Sequence, residues 1–191
     1  MGMMLKSSDL LPDETKLMTK GANLIVSVKE SGLTRFAGDK LFWITGMEGK
    51  EALGGLVHLT NYRLIFKPHM VNRLHGSHSI FLPNIQSITT GFNRLYVDTE
   101  LQRFTFVIWF RTAFIEATQK AVNSFTPTNI EALKRIVTSH PGIIGPGLQK
   151  CATLEALNVM ASTGMRIHEV LEKLSGTDKN IFLEIITLLE K

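Results

Sequence analysis

The sequence predicts an α+β fold in which a small antiparallel sheet comes first and helices follow. Three stretches support this prediction: a hairpin-like segment from Gly54 to Lys67, a β-branched run from Leu24 to Val28, and a change from strand to helix periodicity after Phe110. The chain has 191 residues, of which 44% are apolar. This length and composition fit one domain with an appendage, or two small domains.

The hairpin segment is the element around which the rest of the chain is organised. Two apolar-rich runs, Leu56 to Leu59 and Tyr62 to Phe66, flank Thr60-Asn61. Asn tolerates the left-handed backbone of a tight turn, which favours two antiparallel strands here. Side chains alternate along a strand, so one face is apolar and suited to a core. The other face is mixed and basic, and we expect that it can meet a partner.

Further strands are predicted on both sides of this hairpin. The run from Leu17 to Val28 is typical of a first strand, and Pro83-Asn84 interrupts a strand between Ile80 and Thr89, because proline cannot donate to a ladder. The remaining predicted strands run over 33–36, 41–45, 94–98 and 104–110. The aromatic residues of the last one are assigned to the core and not to a stacking platform for bases.

The C-terminal part of the chain is predicted to be helical. Helices are expected from Thr112 to Phe125 and from Thr128 to Ser139, with a helical hairpin at the end of the chain. The predicted division is a sheet domain over 12–140, a Pro- and Gly-rich linker over 141–149 and a helical extension over 150–191. The apolar face of the last helix either packs on the sheet domain or waits for a partner helix.

The charge distribution suggests an anion-binding surface. The net charge is +4, and no acidic residue occurs between Ala52 and Val97, where four Lys or Arg residues are found. Such a cluster attracts phosphate groups or an anionic leaflet. The alternative is a solvated strand face whose acidic counterparts lie elsewhere in the chain.

The segment from Pro68 to His78 alternates basic or imidazole groups with apolar side chains. In a peripheral membrane protein the apolar tips could enter the interface while the cations hold phosphate oxygens. Alternatively, the apolar tips fold back onto the sheet. The insertion candidates are Met70, Val71 and Leu74, and the lipid-binding candidates are Lys67, Arg73, Arg63 and His69, with Arg94 and Lys50 nearby.

No catalytic or metal-binding motif is visible in the sequence. There is no His-Glu-x-x-His, Cys-x-x-Cys, Gly-x-Ser-x-Gly or Walker pattern, so neither catalytic residues nor a cofactor is predicted. One cysteine, Cys151, allows no internal disulfide and fits a reducing, cytoplasmic compartment. No run of about 18 apolar residues is present, so any membrane role is expected to be peripheral. Nucleic acid is disfavoured because the charge is small and the aromatic residues are expected to be buried.

The hairpin residues also carry a family resemblance. The stretch from Gly54 to Phe66, followed by Phe81-Leu82-Pro83-Asn84-Ile85, resembles the GRAM group of pleckstrin-homology-like (PH-like) domains, which includes myotubularin N-terminal domains. The resemblance implies a small β-barrel, or two orthogonal antiparallel sheets, with a capping C-terminal helix. The Cys-x5-Arg loop that myotubularin catalysis requires is absent, since Leu157 stands where the Arg would follow Cys151.

The resemblance also implies membrane or protein binding as the function. The leading hypothesis is a non-enzymatic, cytoplasmic, peripheral membrane adaptor that binds acidic phospholipids, phosphoinositides among them. The alternative is a protein interaction module that uses the PH-like groove or the C-terminal helices.

Overall fold

The computed structural model describes residues 4–27, 49–70, 72, 76–144, 174 and 176–191. The strands predicted over 33–36 and 41–45 lie outside the described residues, as does nearly all of the helix predicted between 154 and 174.

Seven strands form one continuous antiparallel sheet in the described part of the chain, in the order β4-β3-β2-β1-β7-β6-β5. They are β1 (Lys16–Ser27), β2 (Lys50–Thr60), β3 (Arg63–Pro68), β4 (His78–Phe81), β5 (Ser87–Gly91), β6 (Arg94–Asp98) and β7 (Arg103–Val107).

The long strand β1 joins the two halves of the sheet. It pairs with β2 along its whole length, whereas it pairs with β7 only through Asn23, Leu24 and Ile25. The core between the two halves is apolar and includes Val57, Phe66 and Phe106. The first long helix packs against this core. This strand order with a capping helix is the PH-like α+β fold that the sequence predicts.

The hairpin between β2 and β3 has the predicted position, but its turn is held differently. Leu59 pairs with Leu64, which leaves Asn61 and Tyr62 as the turn residues. Asn61 does not adopt a left-handed backbone. Instead, the hydroxyl of Thr60 accepts hydrogen bonds from the Tyr62 and Arg63 N–H groups at 3.1 and 2.9 Å. A side-chain oxygen of this kind is a common substitute for a backbone acceptor in turns.

Pro83 separates two strands that lie at opposite edges of the sheet. Strand β4 ends at Phe81, a 3-10 helix covers Leu82–Asn84, and β5 begins at Ser87. The break was predicted correctly, but the two halves are not one interrupted strand. They pair with β3 and β6, respectively.

Four α-helices are described: α1 (Thr112–Asn123), α2 (Pro127–Ser139), α3 (Pro141–Ile144) and α4 (Gly176–Leu189). The hydroxyl of Thr126 accepts from the Asn129 N–H and caps α2, with Pro127 in the first turn, where proline is tolerated. Helix α3 lies inside the predicted linker, and its Ile144 is buried. The first residues of that linker are therefore packed on the domain.

Helix α4 packs against the edge of the sheet at β4. Its apolar residues form a second core with Phe81, Leu133, Val137 and Leu11. The described part of the C-terminal region thus follows the first of the two alternatives, in which the last apolar face packs on the sheet domain.

A buried carboxylate lies at the centre of this helix interface. Glu184 on α4 has no solvent exposure. One carboxylate oxygen accepts from the Phe81 N–H at 3.2 Å and the Asn84 amide at 2.9 Å; the other accepts from Thr99 and Gln102, both at 3.1 Å. Burial raises the pKa of Glu184 to about 7, although these four hydrogen bonds act to lower it.

Candidate functional site

Arg63 does not face solvent, contrary to its predicted role as a lipid ligand. The residue is 1% exposed. Its Nε and Nη2 donate to the two carboxylate oxygens of Glu14 at 2.9 and 3.0 Å, and its Nη1 donates to the Ser79 hydroxyl at 2.9 Å. The charge of this guanidinium is neutralised inside the protein, and no pair of its N–H groups is left to bind a phosphate. Arg63 is therefore corrected from a binding residue to a structural one.

The N-terminal segment 7–14 covers the face of β3 that was expected to meet a partner. Its Glu14 pairs with Arg63, and its Asp9 pairs with the Lys67 ammonium at 2.6 Å. Partial burial acts to raise the pKa of Asp9, but the hydrogen bond from Lys67 and the neighbouring Lys6 outweigh it and hold the pKa below its usual value. The charge of Lys67 is thus largely compensated. We call residues 7–14 the N-terminal strap.

The remaining candidates near β3 lie around the end of that strand. Met70 is 70% exposed, as an insertion candidate should be. His69 is half-buried, and its backbone N–H donates to the Gly54 carbonyl at 2.8 Å. Lys50 is exposed at the start of β2. The candidates Val71, Arg73 and Leu74 lie outside the described residues.

Arg94 lies in a different part of the molecule from Lys67. It begins β6, whereas Lys67 is on β3, and strands β2, β1 and β7 lie between these two strands in the sheet. Lys67 and Arg94, two of the predicted cations, are therefore on strands that are not neighbours in the sheet. Arg94 instead lies beside an aromatic cluster, two residues of which, Trp109 and Phe110, were predicted to lie in the core.

This cluster consists of Phe92, Trp109 and Phe110, with Arg94 and Arg111 beside it, and we call it the aromatic tip. Phe92 is 93% exposed, Trp109 is 64% exposed and Phe110 is 91% exposed. These are large fractions for three aromatic side chains, because exposed apolar groups are normally scattered singly over a surface.

Two loops form the aromatic tip, and they are bonded to each other. Phe92 and Asn93 form the turn between β5 and β6, where Gly91 pairs with Arg94. Arg94 also pairs with Val107, which places this turn beside the end of β7. The Arg111 guanidinium then donates to the Gly91 carbonyl at 2.8 Å and fastens the second loop to the first.

Two backbone conformations in the tip have positive φ. Asn93 has φ 55°, which Asn adopts readily in a tight turn. Phe110 has φ 51°, which is unfavourable by about 1 to 2 kcal/mol for a residue with a bulky side chain. The chain thus presents the Phe110 ring to solvent through a strained backbone. Such strain is characteristic of binding sites.

No carboxylate among the described residues forms an ion pair with the arginines of the tip. Within the described residues, the ion pairs involve Arg63, Lys67, Arg103 and Lys134, and neither Arg94 nor Arg111 takes part in one. The aromatic tip therefore combines exposed apolar rings with two arginines that form no ion pair within the part of the chain that the structure describes.

The aromatic residues of the last strand were predicted to be core. This prediction is confirmed for Phe104 and Phe106, and it is wrong for Trp109 and Phe110, which are exposed. Strand β7 ends at Val107, so the strand periodicity does not extend to Phe110. One available signal was alternation: Phe104, Phe106 and Ile108 point inward, which assigns the odd-numbered Trp109 to the outer face.

No group of three or more His, Cys, Asp or Glu residues is arranged to hold a metal ion in the described part of the chain. Over the same residues, no helix is long and apolar enough to cross a bilayer.

Comparisons with known proteins assign neither a family nor a function. No family model matches the chain, and no curated protein matches it. The N-terminal PH domain of Vps36 is 15% identical, with a TM-score of 0.40 over 64% of this chain and 92% of that one. The N-terminal PH domain of human ARAP2 is 14% identical, with a TM-score of 0.38 over 66% of this chain and 90% of that one.

A third solved structure is the C-terminal domain of an unknown protein from Leishmania infantum. It is 13% identical, with a TM-score of 0.39 over 58% of this chain and 85% of that one. At these scores the PH-like assignment rests on the strand order itself. The GRAM subgroup is not distinguished from other PH-like domains.

Proposed function

We propose that this protein is a non-enzymatic, peripheral membrane adaptor that attaches to acidic phospholipid surfaces through the aromatic tip. One observation carries the proposal: three largely exposed aromatic rings on two bonded loops lie beside two arginines that have no carboxylate partner among the described residues. Trp and Phe are favoured at the boundary between headgroups and acyl chains, and arginine is favoured by anionic headgroups.

The expected energies are sufficient for reversible attachment. Transfer of an exposed aromatic ring from water to an apolar medium contributes about 2 kcal/mol. Each Lys or Arg near an anionic leaflet contributes about 1 kcal/mol. Three rings and two arginines together supply on the order of 8 kcal/mol before the cost of association is subtracted. Binding should therefore require both anionic lipid and the aromatic rings.

The basic segment after β3 is a second possible contact in this proposal. Met70, Lys50 and His69 remain candidates there, together with Val71, Arg73 and Leu74, whereas Arg63 is excluded by its burial against Glu14. Because Lys67 is paired with Asp9, its contribution to lipid binding should be small. The aromatic tip therefore carries most of the proposed interaction.

Vesicle sedimentation would test the proposal. The protein is mixed with phosphatidylcholine vesicles that contain no acidic lipid, 30% phosphatidylserine, or 5% of a phosphoinositide. We expect binding to both acidic compositions and little binding to phosphatidylcholine alone. The double variant Phe92→Ser, Phe110→Ser should lose at least tenfold in affinity, and Arg94→Gln should lose about fivefold, an effect that high salt reduces.

The matched control is Leu17→Ser, which removes an exposed apolar side chain outside the tip and should change affinity less than twofold. Equal affinity of the wild type and the double variant would contradict the proposal. Loss of binding in a Met70→Ser variant alone would move the contact to the basic segment. If no vesicle binds, lipid attachment is excluded, and the protein interaction alternative becomes the leading function.

Trp109 provides an independent measurement at the tip itself. The chain contains two tryptophans, Trp43 and Trp109, so a Trp43→Phe variant isolates the signal from Trp109. We expect its emission to shift to shorter wavelength when acidic vesicles are added, because the indole leaves water. Unchanged emission in a sample that sediments with vesicles would place the contact elsewhere.

A further inference from the structure

The aromatic tip presents more apolar surface than charge. Its three rings are exposed by 93% at Phe92, 64% at Trp109 and 91% at Phe110. The charged groups beside them are two guanidinium groups, and that of Arg111 already donates to the Gly91 carbonyl at 2.8 Å. Burial of one aromatic ring contributes more than one cation near an acidic leaflet, and the rings outnumber the arginines. The strength of attachment should therefore depend mainly on whether a bilayer can take up the rings.

The two loops of the tip constrain the positions of these rings. The bond from Arg111 to Gly91 joins the loop that carries Phe110 to the turn that carries Phe92. In that turn, the left-handed backbone of Asn93, with φ 55°, suits a tight two-residue connection. Rings held in this way cannot rearrange freely to fit a dense headgroup layer. The space that they occupy must therefore be provided by the lipids.

The tip lacks the features of a pocket for one particular headgroup. A phosphoinositide headgroup carries several phosphates, and its selective recognition requires several donors that converge on them. Four cavities in the described part of the chain, of about 160, 320, 400 and 510 Å³, are all lined by residues outside the tip. The two arginines can thus attract any acidic surface without distinguishing one headgroup from another.

Lipid packing differs between membranes in the property that the rings require. Gaps between headgroups are larger in strongly curved bilayers than in flat ones, because the outer leaflet is spread over a larger area. Binding by shallow insertion of apolar side chains is accordingly sensitive to curvature and to lipid composition.

We propose that the aromatic tip selects acidic membranes by loose lipid packing, as in strongly curved bilayers, and not by the identity of the acidic headgroup. This inference rests on the proposed function, since it requires attachment through the tip. It adds which class of acidic membrane the protein prefers.

Flotation of the full chain with vesicles of two sizes would test the inference. The vesicles contain dioleoyl phosphatidylcholine with 20% phosphatidylserine, at diameters of about 30 and about 200 nm, and affinities are compared per lipid of the outer leaflet. We expect at least fivefold tighter binding to the small vesicles. In large vesicles, 5% of a bisphosphorylated phosphoinositide supplies about the same charge as 20% phosphatidylserine, and we expect affinities for the two compositions within twofold.

Variants separate the contribution of the rings from that of the charge. In Phe92→Ser, Phe110→Ser, measured at higher lipid concentration, the preference for small vesicles should fall below twofold. Arg94→Gln should lower the affinity for both sizes by the same factor and keep the preference. The control Leu17→Ser, at an exposed apolar position outside the tip, should behave like the wild type.

The possible failures distinguish this inference from the proposed function. Equal affinity for both sizes, in a protein that binds acidic vesicles through the tip, would overturn the inference and leave the proposed attachment intact. A phosphoinositide preference above fivefold at matched charge would also overturn it, because it would indicate a headgroup site. An unchanged size preference in the double variant would do the same, since the selection would then lie outside the tip. Absence of binding to every vesicle would overturn the proposed function itself, and the inference with it.

Discussion

Replacement of Glu184 by alanine is expected to destabilise the protein by about 2 kcal/mol or more, because four donors converge on this carboxylate. The Phe81 N–H is left without an acceptor, at a cost of about 1 to 3 kcal/mol. The Asn84, Thr99 and Gln102 donors each keep a second acceptor, at distances of 2.8, 3.3 and 3.0 Å, so their losses are smaller. The cavity adds to the loss, and the relief of a buried charge offsets part of it.

Urea unfolding followed by far-UV circular dichroism would measure this effect. A loss of 2 kcal/mol lowers the unfolding midpoint by about 1 M when the slope is about 2 kcal/mol per M. Glu190→Ala, at an exposed position just after α4, is the matched control and should change stability by less than about 0.5 kcal/mol. The loss of stability in Glu184→Gln should lie between the losses in the two alanine variants, because the amide keeps the shape of the side chain but turns an NH₂ group towards existing donors.

Equal stability of Glu184→Ala and Glu190→Ala would refute this reasoning. It would mean that the carboxylate contributes nothing to the docking of α4 and that the apolar side chains of the second core hold the helix alone.

Three further predictions concern other interactions in the molecule. The folded-state pKa of Glu184 is about 7, above the ordinary 4.5, so the protein should lose up to about 3 kcal/mol of stability as the pH rises from about 4.5 to 7. The difference in stability between wild type and Glu184→Gln should therefore shift in favour of the variant between pH 5 and pH 8. An equal difference at both pH values would contradict this. Phe110→Asn should raise the free energy of unfolding by about 1 kcal/mol by relieving the positive φ, and a melting temperature below that of the wild type would refute this. Glu14→Ala should cost about 3 to 5 kcal/mol because it leaves Arg63 buried and unpaired, whereas Asp98→Ala, which breaks a pair with a largely exposed Arg103, should cost less than about 1 kcal/mol in the same urea titration.

Most of the described strands and the first two long helices could be predicted because their signals are local. The hairpin from Leu56 to Phe66 shows strand alternation, and the positions of α1 and α2 follow from helical spacing after Phe110. The order of the strands in the sheet required the family resemblance. The positions of β4 and β5 along the chain do not show that these two strands lie at opposite edges of the sheet.

The candidate site was predicted less well because exposure depends on contacts between distant residues. Arg63 was expected to be free, but its partner Glu14 lies 49 residues away in the sequence. Trp109 and Phe110 were assigned to the core because a continuous aromatic run is typical of a buried strand, and only the end of β7 at Val107 places them outside. The burial of Glu184 depends on where α4 docks, which its own sequence does not reveal.

The N-terminal strap has a practical consequence for anyone who trims this protein. A shortened chain that begins at Lys16 would lack Asp9 and Glu14, and so would free two cations that the longer chain keeps neutralised. Such a fragment would be less stable and would adhere more strongly to heparin beads or anionic vesicles. Its adhesion would report the missing strap and not the natural affinity of the protein.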